Sequence, residues 1–244
     1  MIVTIVGDFA DPLSFLASQR ADQIASLGLH EVRWLAVQAD RSRPIGGRLL
    51  DQATADEAGR LAVPSERVPA AGWRVPNSGA ATSAYAESIS DGAADAMRRA
   101  LFDALWVDGR RVDDPEVMRA IAFAVLNPDP PADAIRARIQ ANQPIVPLGN
   151  PDPRAVSRRL GYLVTLARGP LTTAGQHRID AWRHLWQEHG APSLPLLLTK
   201  GGDTLSGEPA LDWLAGLLPN RPRTASSPDA SMVPSGPQPE PAVA

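Results

Sequence analysis

Cysteine is absent from all 244 positions. The chain therefore cannot form a disulfide, and it offers no thiolate as nucleophile or metal ligand. Lysine is nearly absent too: Lys200 is the sole example, and arginine carries almost all of the positive charge. With 24 basic against 27 acidic side chains the formal net charge is -3, which leaves no electrostatic footprint for nucleic acid or an anionic membrane. No apolar run approaches the length of a membrane span, and the N-terminus enters an apolar strand without the pattern of a secretory leader. These absences predict a cytoplasmic protein with neither nucleic acid nor membrane as partner.

Several catalytic signatures are missing as well. There is no Gly-x-Ser-x-Gly elbow, phosphate loop or dinucleotide fingerprint, so serine-hydrolase, nucleotide-hydrolysing and nicotinamide chemistries lack their parts. The four histidines, His30, His177, His184 and His189, form no recognised metal pattern. Asp180 and His184, four residues apart, read as a solvated helix face. No metal and no tightly held cofactor are expected.

What is present suits an ordinary globular core, with 44% hydrophobic and 21% charged residues. Residues 2–6 are a β-branched run ending at Gly7, and a helix is expected over 12–27, closed by Gly28. Residues 32–37 read as a second strand, giving a βαβ opening with a parallel pair. From 40 to 81 the pattern loosens, with one short helix expected within 48–61. Helical signals then dominate: Met97, Leu101, Ala104 and Leu105 share one face, as do Val117, Ile121, Ala124 and Val125. Later helices are expected over 132–141 and 156–167, and a capping box at Thr173-Ala174-Gly175-Gln176 opens another to about His189. That helix carries Ile179, Trp182 and Trp186 on one side, read as core. Residues 220–244 are rich in Pro, Ser and Ala and predict a disordered tail.

Two segments stand out. Asp8-Phe9-Ala10-Asp11-Pro12-Leu13-Ser14-Phe15 follows the first strand, and Pro192-Ser193-Leu194-Pro195-Leu196-Leu197-Leu198 opens a strand that turns through Gly201-Gly202 and closes on Gly207 before a last helix over 208–218. Together they resemble the DsbA-like thioredoxin-fold proteins, including the hydroxychromene-carboxylate isomerase and kappa glutathione-transferase branch. The resemblance implies an α/β, thioredoxin-like fold with a DsbA-type helical insertion at about 80–189, within one domain over 1–219. It also implies that Asp11 and Ser14 hold the two cysteine positions, and that Leu194-Pro195 is a cis bond whose flanking backbone serves a ligand. Asn77 resembles the polar segment that faces the cleft in the isomerase branch.

Asp11 has two readings. A helix N-terminus favours a carboxylate there as it favours a thiolate, so Asp11 can serve a site. It can equally be a plain N-cap followed by Pro at the first helical position, as Asp114-Pro115 and Asp152-Pro153 read elsewhere in the chain. Ser14 can bond back to its helix or face a cleft. Trp73 and Tyr85 read either as pocket walls or as core. The leading functional expectation is a protein that has lost thiol redox chemistry and keeps a groove for a peptide or small molecule. The alternative is an isomerase or transferase that uses glutathione or another small thiol; the resemblance implies a serine hydroxyl at position 11 in that branch, and Ser14 or backbone donors would replace it here.

Overall fold

The computed structural model describes residues 2–28, 30–126 and 169–219. The helices expected over 132–141 and 156–167, the Asp152-Pro153 cap and the tail over 220–244 lie outside the described residues. In chain order the elements are β1 (Ile2–Gly7), α1 (Pro12–Ser26), β2 (Glu31–Ala36), β3 (Arg48–Leu49), α2 (Gln52–Leu61), β4 (Arg74–Val75) and α3 (Gly79–Ser88). There follow α4 (Ala94–Trp106), α5 (Pro115–Leu126), α6 (Thr173–Glu188), β5 (Leu196–Leu198), β6 (Thr204–Ser206) and α7 (Glu208–Gly216). The main sheet runs in the order β2-β1-β5-β6. β1 is parallel to β2, whereas β5 is antiparallel to both β1 and β6.

β1 lies inside this sheet, so Val3, Ile5 and Val6 are fully buried. The strand reads as a β-branched run, with Thr4 only partly buried between Val3 and Ile5. α1 begins where Asp11 accepts a hydrogen bond from the Ser14 amide and Pro12 supplies a pre-set φ. It ends before Gly28, whose φ of +67° is open to glycine at little steric cost. Phe15, Leu16, Ala17, Ala21 and Ile24 are buried beneath α2, α4, α7 and β2.

An aromatic cluster joins the sheet to the helices that follow it. Phe9 packs on Phe102 with centroids 4.8 Å apart, and Trp34 meets Phe102 edge-on at 5.5 Å. Trp106 donates from Nε1 to the Phe9 carbonyl at 2.9 Å, and the Tyr85 hydroxyl donates to the Trp34 carbonyl at 2.9 Å. Tyr85 is therefore a core residue with a satisfied polar end, and Trp182 is buried beside it. Full burial of Phe102 contributes about 1.5–3 kcal/mol.

Four local expectations change. The loosened stretch holds a two-stranded sheet, β3 with β4, besides α2; strands of two residues carry no periodicity to read. Ala124 of α5 is exposed, and the buried face is instead Met118, Ile121, Ala122 and Phe123. The N-cap of α6 is Thr172, one residue earlier than the capping box placed it: Thr172 accepts from the Gly175 amide, while Gln176 bonds Asp180. Thr172 is preferred because its hydroxyl and amide also reach Glu87 at 2.7 and 2.8 Å, a tertiary tie that no local pattern encodes. α7 stops at Gly216, short of the expected 218. No helix of the described residues is long and apolar enough to cross a membrane.

Candidate functional site

At the C-terminal end of β1 the chain turns into α1, and three side chains meet there. Ser14 is fully buried and donates its hydroxyl hydrogen to Asp11 Oδ2 at 2.5 Å, while its oxygen accepts the Asp8 amide at 3.2 Å. The Ser14 amide also donates to Asp11 Oδ2, at 2.7 Å. Asp8, 3% exposed, accepts the Ala10 amide at 2.9 Å and the Ala39 amide at 2.8 Å. Asp11 thus caps α1, as the capping reading has it, and its mostly buried carboxyl lies at the edge of a cleft.

Burial is the main influence on both carboxyls. It raises Asp8 above the usual carboxylate range, against the Ser78 hydroxyl, the Ala10 and Ala39 amides and the Arg43 charge, which all favour the anion. It pushes Asp11 up to about 7, opposed by the Ser14 hydroxyl and amide and helped by repulsion from Asp8. Near neutral pH Asp11 is therefore divided between acid and carboxylate. It can donate a proton as well as accept one.

This shift fixes the sign of a pH effect. An unfolded Asp titrates near 3.9, so between about pH 4 and 7 the folded chain holds a proton that the unfolded chain has released. Stability from this group is fully present below that window and is lost as pH rises through it. The melting temperature should fall between pH 5 and 8, and Asp11→Asn, which keeps a capping acceptor, should fall less. Asp8 acts in the same direction and leaves a residual slope. Thermal melts of the two proteins across this range check the expectation; identical slopes would assign the effect elsewhere.

The cleft in front of Asp11 has a volume of about 450 Å³. Pro12, Leu50, Val75 and Trp186 supply apolar wall, and Asp40, Arg43, Arg48 and Asp51 a charged rim. Leu194 closes one side. The Leu194-Pro195 bond is cis, and the Pro195 carbonyl accepts the Gly207 amide at 2.9 Å. Neither the amide nor the carbonyl of Leu194 has a hydrogen-bond partner among the described residues.

The structure brings Asp11 and Leu194 to one cleft, with Ser14 behind Asp11 and Pro195 behind Leu194. Asn77 stands apart. Its carbonyl oxygen accepts Gln38 Nε2 at 2.8 Å and the Gly79 amide at 2.9 Å, its Nδ2 donates to the Arg43 carbonyl at 2.7 Å, and it lines a different cavity. Trp186, read as core, does pack against the core and also lines the Asp11 cleft, with Nε1 donating to the Pro192 carbonyl at 3.0 Å. Asp8 was the residue that sequence reasoning passed over; an aspartate directly after a buried strand and before a buried Phe was the available signal. Among the described residues no cluster of three His, Asp or Glu side chains could hold a metal ion.

No family model matches the chain, and no curated protein matches it by sequence. Solved structures do match in shape. A 2-hydroxychromene-2-carboxylate isomerase superposes with a TM-score of 0.51 at 19% identity, over 88% of this chain and 93% of its own. A probable DsbA oxidoreductase from Streptomyces coelicolor superposes with a TM-score of 0.53 at 17% identity, over 96% of this chain and 100% of its own. Identities this low speak of architecture alone. The chain has the DsbA-type thioredoxin-like fold, with Asp11 and Ser14 at the head of its first helix and no cysteine anywhere.

Proposed function

We propose that this protein is a redox-inactive DsbA-type chain whose Asp11 cleft holds an extended peptide or a small organic molecule. The observation that carries the reading is that Leu194, whose backbone has no hydrogen-bond partner among the described residues, lines the same cleft as Asp11. An extended ligand can pair with a free main-chain donor and acceptor as an added strand would, and the apolar wall from Leu50 to Trp186 can take its side chains. The cysteine-free sequence removes disulfide exchange from the chemistry available. A cytoplasmic location fits this reading.

A second reading has one observation in its favour. A thiolate ligand would be repelled by an ionised Asp11, but a carboxyl titrating at about 7 is protonated often enough to donate a hydrogen bond to it. That keeps open a thiol-dependent isomerase or transferase using glutathione, with Asp11 as donor, because Ser14 is fully buried behind it.

Fluorescence of Trp186 separates these outcomes. Carboxamidomethylated insulin B chain, an unfolded peptide, should cause a saturable change that is lost in Trp186→Phe. Glutathione binding that weakens from pH 6 to 8 would favour the second reading. If neither ligand changes the Trp186 signal at any pH, the cleft is not a binding site of either kind.

A further inference from the structure

Beyond the Asp11 cleft, a second cavity of about 390 Å³ lies between the segment after β2, the start of α3 and one face of α6. Its α6 wall is built by Gln176, Ile179, Asp180 and Arg183, which recur at the spacing of a single helix face. This face lines the cavity, while Ile179 on it is partly buried and also packs against the core. Trp182, on the neighbouring face, packs on Tyr85 at 5.7 Å.

The polar groups at this cavity are poorly matched among themselves. Thr82, 2% exposed, lines it, and its hydroxyl oxygen has no hydrogen-bond partner. A buried hydroxyl without a partner is costly and calls for a ligand or a bound water. Arg41 and Arg183 line the cavity, and no described acidic side chain pairs with either. Among the described lining residues the one acid, Asp180, accepts Gln176 Nε2 at 2.9 Å. α3 begins at Gly79, on the cavity wall, and its N-cap Ser78 makes no side-chain capping bond because its hydroxyl is turned to Asp8. Gln38 is oriented by its bond to Asn77, and a side chain at Gly79 would crowd both amides.

The geometry points to a binding site for a small organic monocarboxylate, distinct from the Asp11 cleft. Among the described lining residues two arginines against one aspartate leave a local charge of about +1, which suits one carboxylate better than a dianion. The Thr82 hydroxyl and the guanidinium of Arg183 supply donors for the head group, the Gly79 amide being already bonded to Asn77. Val37, Ile45 and Ile179 give its body an apolar seat, within the size range of small-ligand pockets. Asn77 holds the wall between the two cavities, since its amide is tied to Arg43 on the Asp11 side and to Gln38 on this one.

Calorimetric titration of the full chain tests the assignment, with benzoate and cyclohexanecarboxylate as probes, inorganic phosphate as a head-group control and benzyl alcohol as a body control. Both carboxylates should bind saturably, and the two controls more weakly. Thr82→Val should leave the melting temperature unchanged or raise it, because an unsatisfied hydroxyl is removed, yet weaken the carboxylates about tenfold. Arg183→Gln should weaken them to a similar degree. No saturable carboxylate binding up to about 10 mM, an affinity well below what a ligand of this size can reach, would overturn the site. So would phosphate binding more tightly than benzoate, or binding that is lost in Asp11→Asn but kept in Thr82→Val.

Discussion

Replacing Asp11 and Ser14 together by cysteine should create thiol–disulfide exchange in a protein that has none. The two side chains already converge: Asp11 Oδ2 lies 2.5 Å from Ser14 Oγ and 2.7 Å from the Ser14 amide. In Asp11→Cys/Ser14→Cys the first sulfur occupies the N-cap, where the same amide and the helix dipole stabilise a thiolate. Its pKa should drop below the free value of about 8.5. The second sulfur takes the fully buried Ser14 position, so an external substrate reaches only the first. Leu194 lines the same cleft, and its backbone has no hydrogen-bond partner among the described residues, so it should align the substrate chain. Losing the Asp11 cap costs about 1 kcal/mol, which a domain of this size tolerates. Asp8 is the opposing influence, because its charge would work against a thiolate; its raised pKa lessens that repulsion. Insulin reduction and thiol titration give the readout. A folded double variant that forms no internal disulfide, and whose first thiol titrates like free cysteine, would show that these positions do not correspond to a redox pair.

The largest loss of stability is expected far from the cleft, at Arg20. This α1 side chain is 1% exposed and makes a two-pronged bond to Glu66, Nε to Oε1 at 2.7 Å and Nη2 to Oε2 at 2.9 Å. It also donates to the Leu61 carbonyl at the end of α2 and the Leu211 carbonyl in α7, while Glu66 accepts the Val63 amide. One guanidinium thus joins three helices. Arg20→Met would strand the Glu66 carboxylate, and Glu66→Ala would strand the guanidinium; each should cost about 3–5 kcal/mol. At this chain length that amounts to roughly 6–20 °C in melting temperature. Arg20→Met with Glu66→Met removes both charges, so it should cost less than the two single changes combined. A loss under about 1 kcal/mol in either single variant would mean that water reaches the pair and screens it.

The opening β1-α1-β2 unit was legible because each of its signals is local: a β-branched run, an Asp-Pro start to the helix and a glycine at its end. The Asp-Pro grammar recurs at Asp114, whose Oδ1 accepts the Glu116 amide at 2.8 Å. The resemblance of the Leu194-Pro195 segment was likewise written in consecutive residues. β3 and β4 were not legible, because a two-residue strand has no period and its partner lies far along the chain, Leu49 opposite Arg74 and Arg48 opposite Val75.

Residue identity and short-range order, then, determined the absence of sulfur chemistry, the helix caps and the order of the core elements. Only the tertiary structure decided that Asn77 belongs to a second cavity, that Trp186 faces the Asp11 cleft, and that Arg20 and Glu66 meet across 46 positions. It also decided that Asp11 titrates at about 7. The physical reason is common to all four. Caps and strand signals arise from bonds within a few residues, whereas desolvation, cavity walls and buried charge pairs depend on which distant segments exclude water together.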